Sequence, residues 1–374
     1  MQIDFFNPRS ILCFIAILQG LIFAAMLFGR FFRGKQKSDF WLGVLLLVLC
    51  SALVTPFIGF ANVYDLNQWL TYFPFSIVYS YGVLVWFYTL HLTDSKRQFT
   101  RKDLLFFVPT IVYLIFRFYL FSQDLEWKDW FGDNYNNILN TVIFITEFVW
   151  NLTFLFFSIR HYRKYRAWLN ENYSDTEKIK FDWLRNFLYL FTAILILGAL
   201  FDFTNSFIFK LSYIQFFYFE IILALTTYYL AVAGYLRSKT IELNFSETKA
   251  EEIEERKTLL PEKELEKLKE KLQNLMQNDK VYLEPNLTLN DLSRKLGVNS
   301  TVLSFAINNG FGKNFNDFIN EFRIAEVKEK LKSADDSTLL NVAFDCGFNS
   351  KATFNRAFKK FTGVSPKEFQ DEII

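Results

Sequence analysis

The stretch TLLNVAFDCGFNSKATFNRAFKKFTGVSPKEF (Thr338–Phe369) decides the fold of the carboxy-terminal part of the chain. An earlier stretch, TLNDLSRKLG (Thr288–Gly297), repeats the residue pattern of its first ten positions, TLLNVAFDCG. Both stretches continue with an apolar residue and then Asn-Ser, at positions 299–300 and 349–350. Glycine ends a helix readily because it adopts a left-handed backbone, and Asn or Ser caps the next helix. The repeat therefore predicts two helix-turn-helix units.

Further helices are expected between and after these two units. The stretch from Phe315 to Lys332 reads as one longer helix. Its buried side is expected to comprise Phe318, Phe322, Ala325 and Leu331. Ser365-Pro366-Lys367-Glu368 has the residues of a capped helix start, with Ser as the N-cap, Pro at the first position and Glu at the third.

The second helix of such a unit can lie in the major groove of DNA. In the second unit this reading helix spans about Ser350–Phe361 and carries basic residues without an acid. Lys and Arg neutralise phosphates and can reach guanine edges. The candidate DNA-binding residues of this helix are Ser350, Lys351, Thr353, Asn355, Arg356, Lys359 and Lys360.

The reading helix of the first unit, about Ser300–Asn309, has no basic residue. Asn can still bond adenine, and Ser or Thr can bond base edges. The candidates here are Thr301, Ser304, Asn308 and Asn309. Arg323, between the units, either touches the DNA backbone or pairs with a nearby acid. Basic and acidic residues balance from Val281 to Ile374, twelve of each, so DNA affinity must come from local placement of charge.

The carboxy-terminal part resembles the DNA-binding domain of the AraC/XylS family. The run GFNSKATFNRAFKKFTGVSPKEF (Gly347–Phe369) is similar to the family's C-terminal signature, and NEFRIAEVKEKL (Asn320–Leu331) is similar to its linker helix. The resemblance implies a sequence-specific transcription regulator with two helix-turn-helix units joined by a helix. The preface YLEPNLTLNDL (Tyr282–Leu292) and the layout also resemble a subgroup in which membrane helices replace the soluble effector-binding domain. The uncharged first reading helix departs from the family's basic pattern.

The amino-terminal part is strongly apolar. The whole chain is 52% hydrophobic and 20% aromatic, and the apolar runs lie before about Leu236. A membrane-spanning helix needs about 20 apolar residues, and lipid leaves helices as the sensible way to cross. Seven spans are predicted, at Ser10–Phe28, Phe40–Phe60, Trp69–Leu92, Leu104–Phe121, Ile138–Ile159, Leu184–Phe207 and Tyr213–Leu236.

Lys and Arg are concentrated in alternate loops between these spans. The loops after the first, third, fifth and seventh spans are basic, and the other loops hold almost no Lys or Arg. Because basic loops stay in the cytoplasm, the pattern predicts an outer amino terminus. Everything after Leu236 is then cytoplasmic, and the protein is expected in the inner (cytoplasmic) membrane of a bacterium as a multi-pass protein.

Ionisable residues inside the predicted spans are Arg117, Glu147, Asp202 and Glu220. A charge at mid-bilayer costs at least about 2.5 kcal/mol, so such residues usually face a cavity or a partner. One hypothesis is an outward-opening pocket in which Arg117 meets a carboxylate and a ligand enters. The alternative is structural, with Arg117 reaching outward and the acids linking helices by hydrogen bonds.

Three domains are expected: a transmembrane sensor at 1–237, a charged linker at 238–280 and the DNA-binding domain at 281–374. In the linker, Leu265, Leu268, Leu272 and Leu275 recur with the spacing of a helix seam. This short seam either packs on the following domain or pairs in a homodimer. The expected fold is therefore all-α, a seven-helix bundle followed by a double helix-turn-helix domain.

The leading hypothesis for function is one-component signalling from the membrane or outer face to double-stranded DNA. The signal, a small molecule or a membrane cue, is unknown. An alternative is a transporter or receptor with an attached regulatory DNA-binding domain. An enzyme is not expected, since no kinase glycine loop, Walker loop, nucleophile and base set or metal-ligand spacing is present. No cofactor and no metal are expected.

Overall fold

The computed structural model describes residues 3–34, 36–177, 179–236, 245, 261–333 and 338–373. Across these ranges the regular structure is helical, and an isolated β-bridge joins Tyr173 to Thr288. The chain divides into two compact units. The amino-terminal unit comprises Met1–Tyr162 and Asp182–Asn244, and the carboxy-terminal unit comprises Arg163–Phe181 and Phe245–Ile374.

Helices, most of them long and apolar, build the amino-terminal unit. They are α1 (Pro8–Gly34), α2 (Lys37–Phe60), α3 (Val63–Leu66), α4 (Tyr81–Thr93), α5 (Val108–Phe121), α6 (Leu125–Asn172), α7 (Asp182–Phe203) and α8 (Tyr213–Leu236). The residues of α6 from Arg163 onward belong to the carboxy-terminal unit. Among the described residues, six helices are long and apolar enough to cross a membrane: Pro8–Gly34, Lys37–Phe60, Arg101–Phe121, Leu125–Asn172, Asp182–Ile208 and Tyr213–Leu236.

The third predicted span, Trp69–Leu92, is wrong as a continuous helix. Only Tyr81–Thr93 is α-helical, and 13 residues of helix reach about 20 Å, less than the ~30 Å of a hydrocarbon core. Pro74 explains the break, because it lacks an amide hydrogen and forces the preceding Phe73 out of the helical region. The residues of α4 are almost all buried, so this helix lies inside the unit rather than at its surface.

Helix α4 is held at its start by a side chain of α6. Asn151 is fully buried; its Oδ1 accepts from the Gly82 amide at 2.8 Å, and its Nδ2 donates to the Val78 carbonyl at 2.9 Å. The first bond satisfies an amide that a helix start leaves without an internal partner, and the second ties the turn before α4 to α6. Gly82 allows the close approach, because a Cβ there would lie 2.7 Å from the Asn151 carbonyl oxygen and 2.9 Å from its Cα.

Gly82→Ala is therefore expected to destabilise the amino-terminal unit by about 1–3 kcal/mol, since the clash is with backbone and not with a flexible side chain. Thermal unfolding of the purified full-length protein in detergent measures the loss as a lower midpoint. Gly29→Ala is the matched control, because its nearest neighbour would be an Arg33 terminal nitrogen at 3.8 Å. In this control the higher helix propensity of Ala should act alone. Equal midpoints for the two variants would contradict the packing described here.

Helices of 7 to 19 residues build the carboxy-terminal unit. They are α9 (Glu262–Gln277), α10 (Leu289–Leu296), α11 (Ser300–Phe311), α12 (Phe315–Ser333), α13 (Leu339–Asp345), α14 (Lys351–Thr362) and α15 (Pro366–Ile373). The pairs α10–α11 and α13–α14 are the two expected helix-turn-helix units, and α12 is the long helix between them. Ala325, expected on the buried side of α12, is exposed. The buried apolar residues of α12 that the sequence prediction missed are Phe315, Ile319, Ile324 and Val327.

Each helix-turn-helix unit has its own apolar core. The first core includes Leu292, Leu303, Ile307 and Phe318, and the second includes Val327, Val342, Phe354 and Phe358. Burying such side chains contributes about 25 cal/mol per Å² of apolar area, so each core can hold its pair of helices.

Helix α9 packs on the first core, with Leu268, Leu272 and Met276 buried and Leu265 and Leu275 packed against it. Of the two alternatives for the leucine seam, the structure shows the intramolecular one. Of the expected linker 238–280, residues 261–277 pack within the carboxy-terminal unit, and residues 238–244 and 246–260 lie outside the described residues.

Candidate nucleic-acid interface

Both reading helices, α11 and α14, begin at the predicted caps. The Asn299 side chain accepts from the Thr301 amide, and the Ser350 side chain accepts from the Thr353 amide. The preceding helix of the first unit ends at Gly297 with φ 66°. A local cap therefore fixes where each reading helix starts, which is the position that meets base edges in a helix-turn-helix protein.

The turn of the second unit depends on Gly347. Its φ is +88°, a region that L side chains rarely adopt. A Cβ there would also lie 2.7 Å from the Tyr282 carbonyl oxygen. Glycine is thus required both by the backbone angle and by the close approach of the chain before the first unit.

Helix α14 separates its apolar and polar residues cleanly. Phe354, Ala357 and Phe358 are buried in the second core. The exposed residues are Lys351, Ala352, Asn355, Arg356, Lys359 and Lys360. The helix therefore presents a basic face, as a phosphate-binding and base-reading helix requires. Ser350 is half-buried because its hydroxyl caps the helix.

Two of the cations on this face have acidic partners. Arg356 Nη1 lies 2.9 Å from Glu177 Oε2, and Lys360 Nζ lies 2.6 Å from Asp317 Oδ2. For Lys351 and Lys359, the described residues contain no ion-pair partner. Thr353 is buried, and its hydroxyl donates to Asp175 Oδ1 at 2.9 Å.

The first unit presents fewer of its candidate DNA-binding residues at the surface. Asn309 is exposed and donates to the Phe305 carbonyl at 3.0 Å, while Thr301 and Asn308 are half-buried. Ser304, expected to read DNA, is only 6% exposed because it lies on the core side of α11 beside Leu303. That expectation is wrong. The polar residues of α11 are neutral, so this helix offers no cationic side chain at its surface.

Arg323 does not present its side chain at the surface, as the first of its two expected roles, contact with the DNA backbone, would require. It is fully buried between the two cores. Its Nε donates to the Tyr282 carbonyl at 2.7 Å and its Nη2 to the Glu284 carbonyl at 2.7 Å. Burial lowers its pKa to about 10, although Asp175 raises it, so the guanidinium stays protonated at neutral pH. Arg323 thus clamps the chain before the first unit onto the linking helix α12.

The structure brings together three of the four ionisable residues predicted within spans. Glu147, Asp202 and Glu220 line one cavity of about 200 Å³ in the amino-terminal unit. Arg117 is not among the lining residues; its guanidinium carbon lies 5.3 Å from the centre of the Tyr72 ring. The predicted meeting of Arg117 with a carboxylate is therefore absent from the described residues, and the cavity is acidic and lined with Phe, Tyr and aliphatic residues.

Comparisons with known proteins agree with the geometry of the carboxy-terminal unit. Residues 292–372 match the family model of a helix-turn-helix domain. The chain is 33% identical over 109 residues to an uncharacterised HTH-type transcriptional regulator of Staphylococcus aureus, covering 27% of this chain and 14% of that protein. It is 25% identical over 87 residues to the HTH-type transcriptional activator RhaS of Mannheimia succiniciproducens, covering 23% and 32%.

A solved structure of a protein of unknown function from Listeria innocua is 27% identical, with a TM-score of 0.25, and the match covers 27% of this chain and 95% of that one. The chain thus spans 14% of the length of the Staphylococcus relative and 32% of that of RhaS. At its carboxy terminus it carries a DNA-binding helix-turn-helix domain of the AraC type. In this region it is similar to HTH-type transcriptional regulators.

Proposed function

We propose that this protein is a membrane-bound, sequence-specific transcription regulator that carries a signal from the membrane or outer face to DNA. The observation that carries the proposal is the basic face of α14. This helix is capped at its start by Ser350 and is the second helix of a helix-turn-helix unit. Four cations on one helix would otherwise suit any solvated face. Inside a double helix-turn-helix domain they lie where DNA is read.

The membrane part of the proposal is supported by the six long apolar helices. Their exposed apolar side chains, such as Ile115, Val142 and Leu225, suit contact with lipid better than contact with water. The alternation of basic loops favours an inner-membrane protein whose DNA-binding domain is cytoplasmic, and it requires the broken segment 69–93 to cross the bilayer as well. This crossing is supported by the Lys37 ammonium, which donates to the Arg97 carbonyl and so brings the loop after α1 next to the loop after α4. A homodimer remains a proposal that the oligomeric state of the purified protein tests.

The sensing part of the proposal rests on the acidic cavity between the apolar helices. A carboxylate inside a lipid bilayer has a high free-energy cost unless a partner group or a ligand compensates its charge. We propose that the cavity receives the signal and that the signal acts by favouring one helix packing over another. Single changes Glu147→Gln, Asp202→Asn and Glu220→Gln test this through transcription of the regulated gene. An unchanged response in all three variants would leave the acids a structural role only.

Mapping of bound chromosomal DNA in cells tests the DNA-binding function. The full-length protein is expected to occupy a limited set of sites, and the cation variant (Lys351→Ala, Arg356→Ala and Lys359→Ala together) is expected to lose them. A control variant changes Lys263, Lys267 and Lys271 of α9 to Ala, which removes the same charge from exposed positions of another helix. Equal occupancy by the cation variant and the wild type would contradict the proposed function.

A further inference from the structure

The reading face of the second unit is covered in part by another segment of the same chain. This segment, Tyr173–Phe181, follows α6 and precedes α7 in the sequence, yet it belongs to the carboxy-terminal unit. It is short and lies between two helices that are long and apolar enough to span a membrane. We call it the docked segment.

Two acids of the docked segment meet the reading helix α14. Asp175 Oδ1 accepts from the Thr353 hydroxyl at 2.9 Å, and Glu177 Oε2 accepts from Arg356 Nη1 at 2.9 Å. Carboxylate oxygens bind a guanidinium or a hydroxyl in the same way as phosphate oxygens do. The acids therefore occupy the donors that a DNA backbone or base edge would use.

Ser174 anchors the docked segment on the domain. Its amide and its hydroxyl both donate to the Leu287 carbonyl, at 3.3 Å and 2.7 Å. Its carbonyl accepts from Asn316 Nδ2 at 2.8 Å and from Asn320 Nδ2 at 3.2 Å, and its hydroxyl accepts from the buried Arg323 at 3.3 Å. The contact is thus built from buried main-chain and side-chain groups, unlike a casual surface ion pair, which contributes little.

The electrostatics of Glu177 agree with this docking. Partial burial would raise the pKa of Glu177, but hydrogen bonds and charges from Lys180 and Arg356 hold it below its usual value. The carboxylate is therefore ionised at neutral pH and attracts Arg356.

We propose that the docked segment competes with DNA for Thr353 and Arg356, so that the protein binds DNA tightly only when the segment leaves α14. This inference rests on the proposed function and adds its regulation. The segment is joined directly to α6 and α7, so a change in either helix acts on it through the covalent chain. Apparent DNA affinity falls in proportion to the fraction of molecules in which the site is open.

The test compares DNA binding by full-length protein in lipid nanodiscs. The probe is a fluorescent DNA fragment taken from a site that the protein occupies in cells. Asp175→Asn with Glu177→Gln is expected to tighten binding about tenfold, as if about one tenth of the wild-type molecules were open without DNA. Glu177→Gln alone is matched by Glu171→Gln, which removes the same charge nearby and should stay within about twofold of wild type.

Equal affinity of the wild type and the double variant, with both binding specifically, would overturn the competition while the proposed function stood. Absence of specific binding by every protein, the wild type included, would overturn both the competition and the proposed function.

A second measurement needs no variant. Hydrogen exchange of the Ser174 amide, which bonds to Leu287, is expected to speed up when DNA is added. Unchanged exchange on a DNA-saturated protein would also overturn the inference.

Discussion

The full-length cation variant, with Lys351, Arg356 and Lys359 all changed to Ala, is expected to bind its specific DNA about 100-fold more weakly than the wild type. Lys351, Arg356 and Lys359 are all exposed on α14, and a charged contact to phosphate or base contributes roughly 1 kcal/mol or more. Three such contacts give about 3 kcal/mol, which corresponds to about two powers of ten in the dissociation constant. Fluorescence anisotropy on a mapped DNA site measures this loss.

Salt dependence separates this loss from a folding defect. Each phosphate contact removed lowers the slope of log affinity against log salt by about 0.9, so the slope should fall by up to about 3. Alanine is a good helix former, so α14 itself should persist. The α9 control variant is expected to keep both the wild-type affinity and the wild-type slope. A weaker affinity with an unchanged slope would mean that these three residues do not meet phosphates.

Arg323→Ala is expected to destabilise the DNA-binding domain by about 4 kcal/mol. The change leaves the Tyr282 carbonyl without the Arg323 donor, and an unsatisfied buried group costs about 1–3 kcal/mol. The Glu284 carbonyl loses one donor and keeps the Leu287 amide. It also removes the packing of a fully buried side chain between the two cores. Native-state hydrogen exchange of α12 in the full-length protein measures the loss, and protection should fall about 1000-fold.

Two companion variants show what Arg323 supplies. Arg323→Lys keeps the charge but lacks the fork that reaches both carbonyls, so an intermediate loss of protection is expected. Arg294→Ala is the exposed control; the Arg294 side chain is 78% exposed and pairs with Asp291. Exposed pairs contribute about 0–1 kcal/mol, so protection should hardly change. If Arg323→Ala and Arg294→Ala gave the same protection of α12, the buried Arg323 side chain would contribute nothing to the stability of the domain.

The sequence was most informative where structure depends on nearby residues. The caps at Asn299 and Ser350 and the glycine stop at Gly297 follow from bonds that span a few residues. The repeat of the two units, and the placement of cations on one side of α14, could be predicted for the same reason. A cap or a helical period needs no knowledge of distant contacts.

Prediction was weaker where a residue's role depends on distant parts of the chain. From the sequence, Arg323 either touches the DNA backbone or pairs with a nearby acid. Only the three-dimensional structure shows that it bonds to carbonyls 39 and 41 positions away. The docked segment is harder still, since Asp175 and Glu177 reach α14 across more than 170 positions of sequence. The sequence signal was weak: four acids, Glu171, Asp175, Glu177 and Asp182, lie in a loop that also carries six Lys and Arg residues.

The third predicted span shows the limit of counting apolar residues. Trp69–Leu92 has the composition of a spanning helix, yet Pro74 divides it and only its second part forms α4. Hydropathy averages over a window, whereas a proline acts at one backbone position. Greater weight on Pro74 would have predicted the break, but not the burial of α4 inside the unit.

Flotation of vesicles that contain the full-length protein most directly tests the central claim that one chain holds DNA at a membrane. Protein reconstituted in neutral phosphatidylcholine vesicles is mixed with a fluorescent fragment of its mapped DNA site and centrifuged through a density gradient. The DNA is expected to rise with the vesicles, and to stay at the bottom when the vesicles carry the cation variant. If the wild-type protein floats and the DNA remains at the bottom, or if the protein itself fails to float, the claim is contradicted.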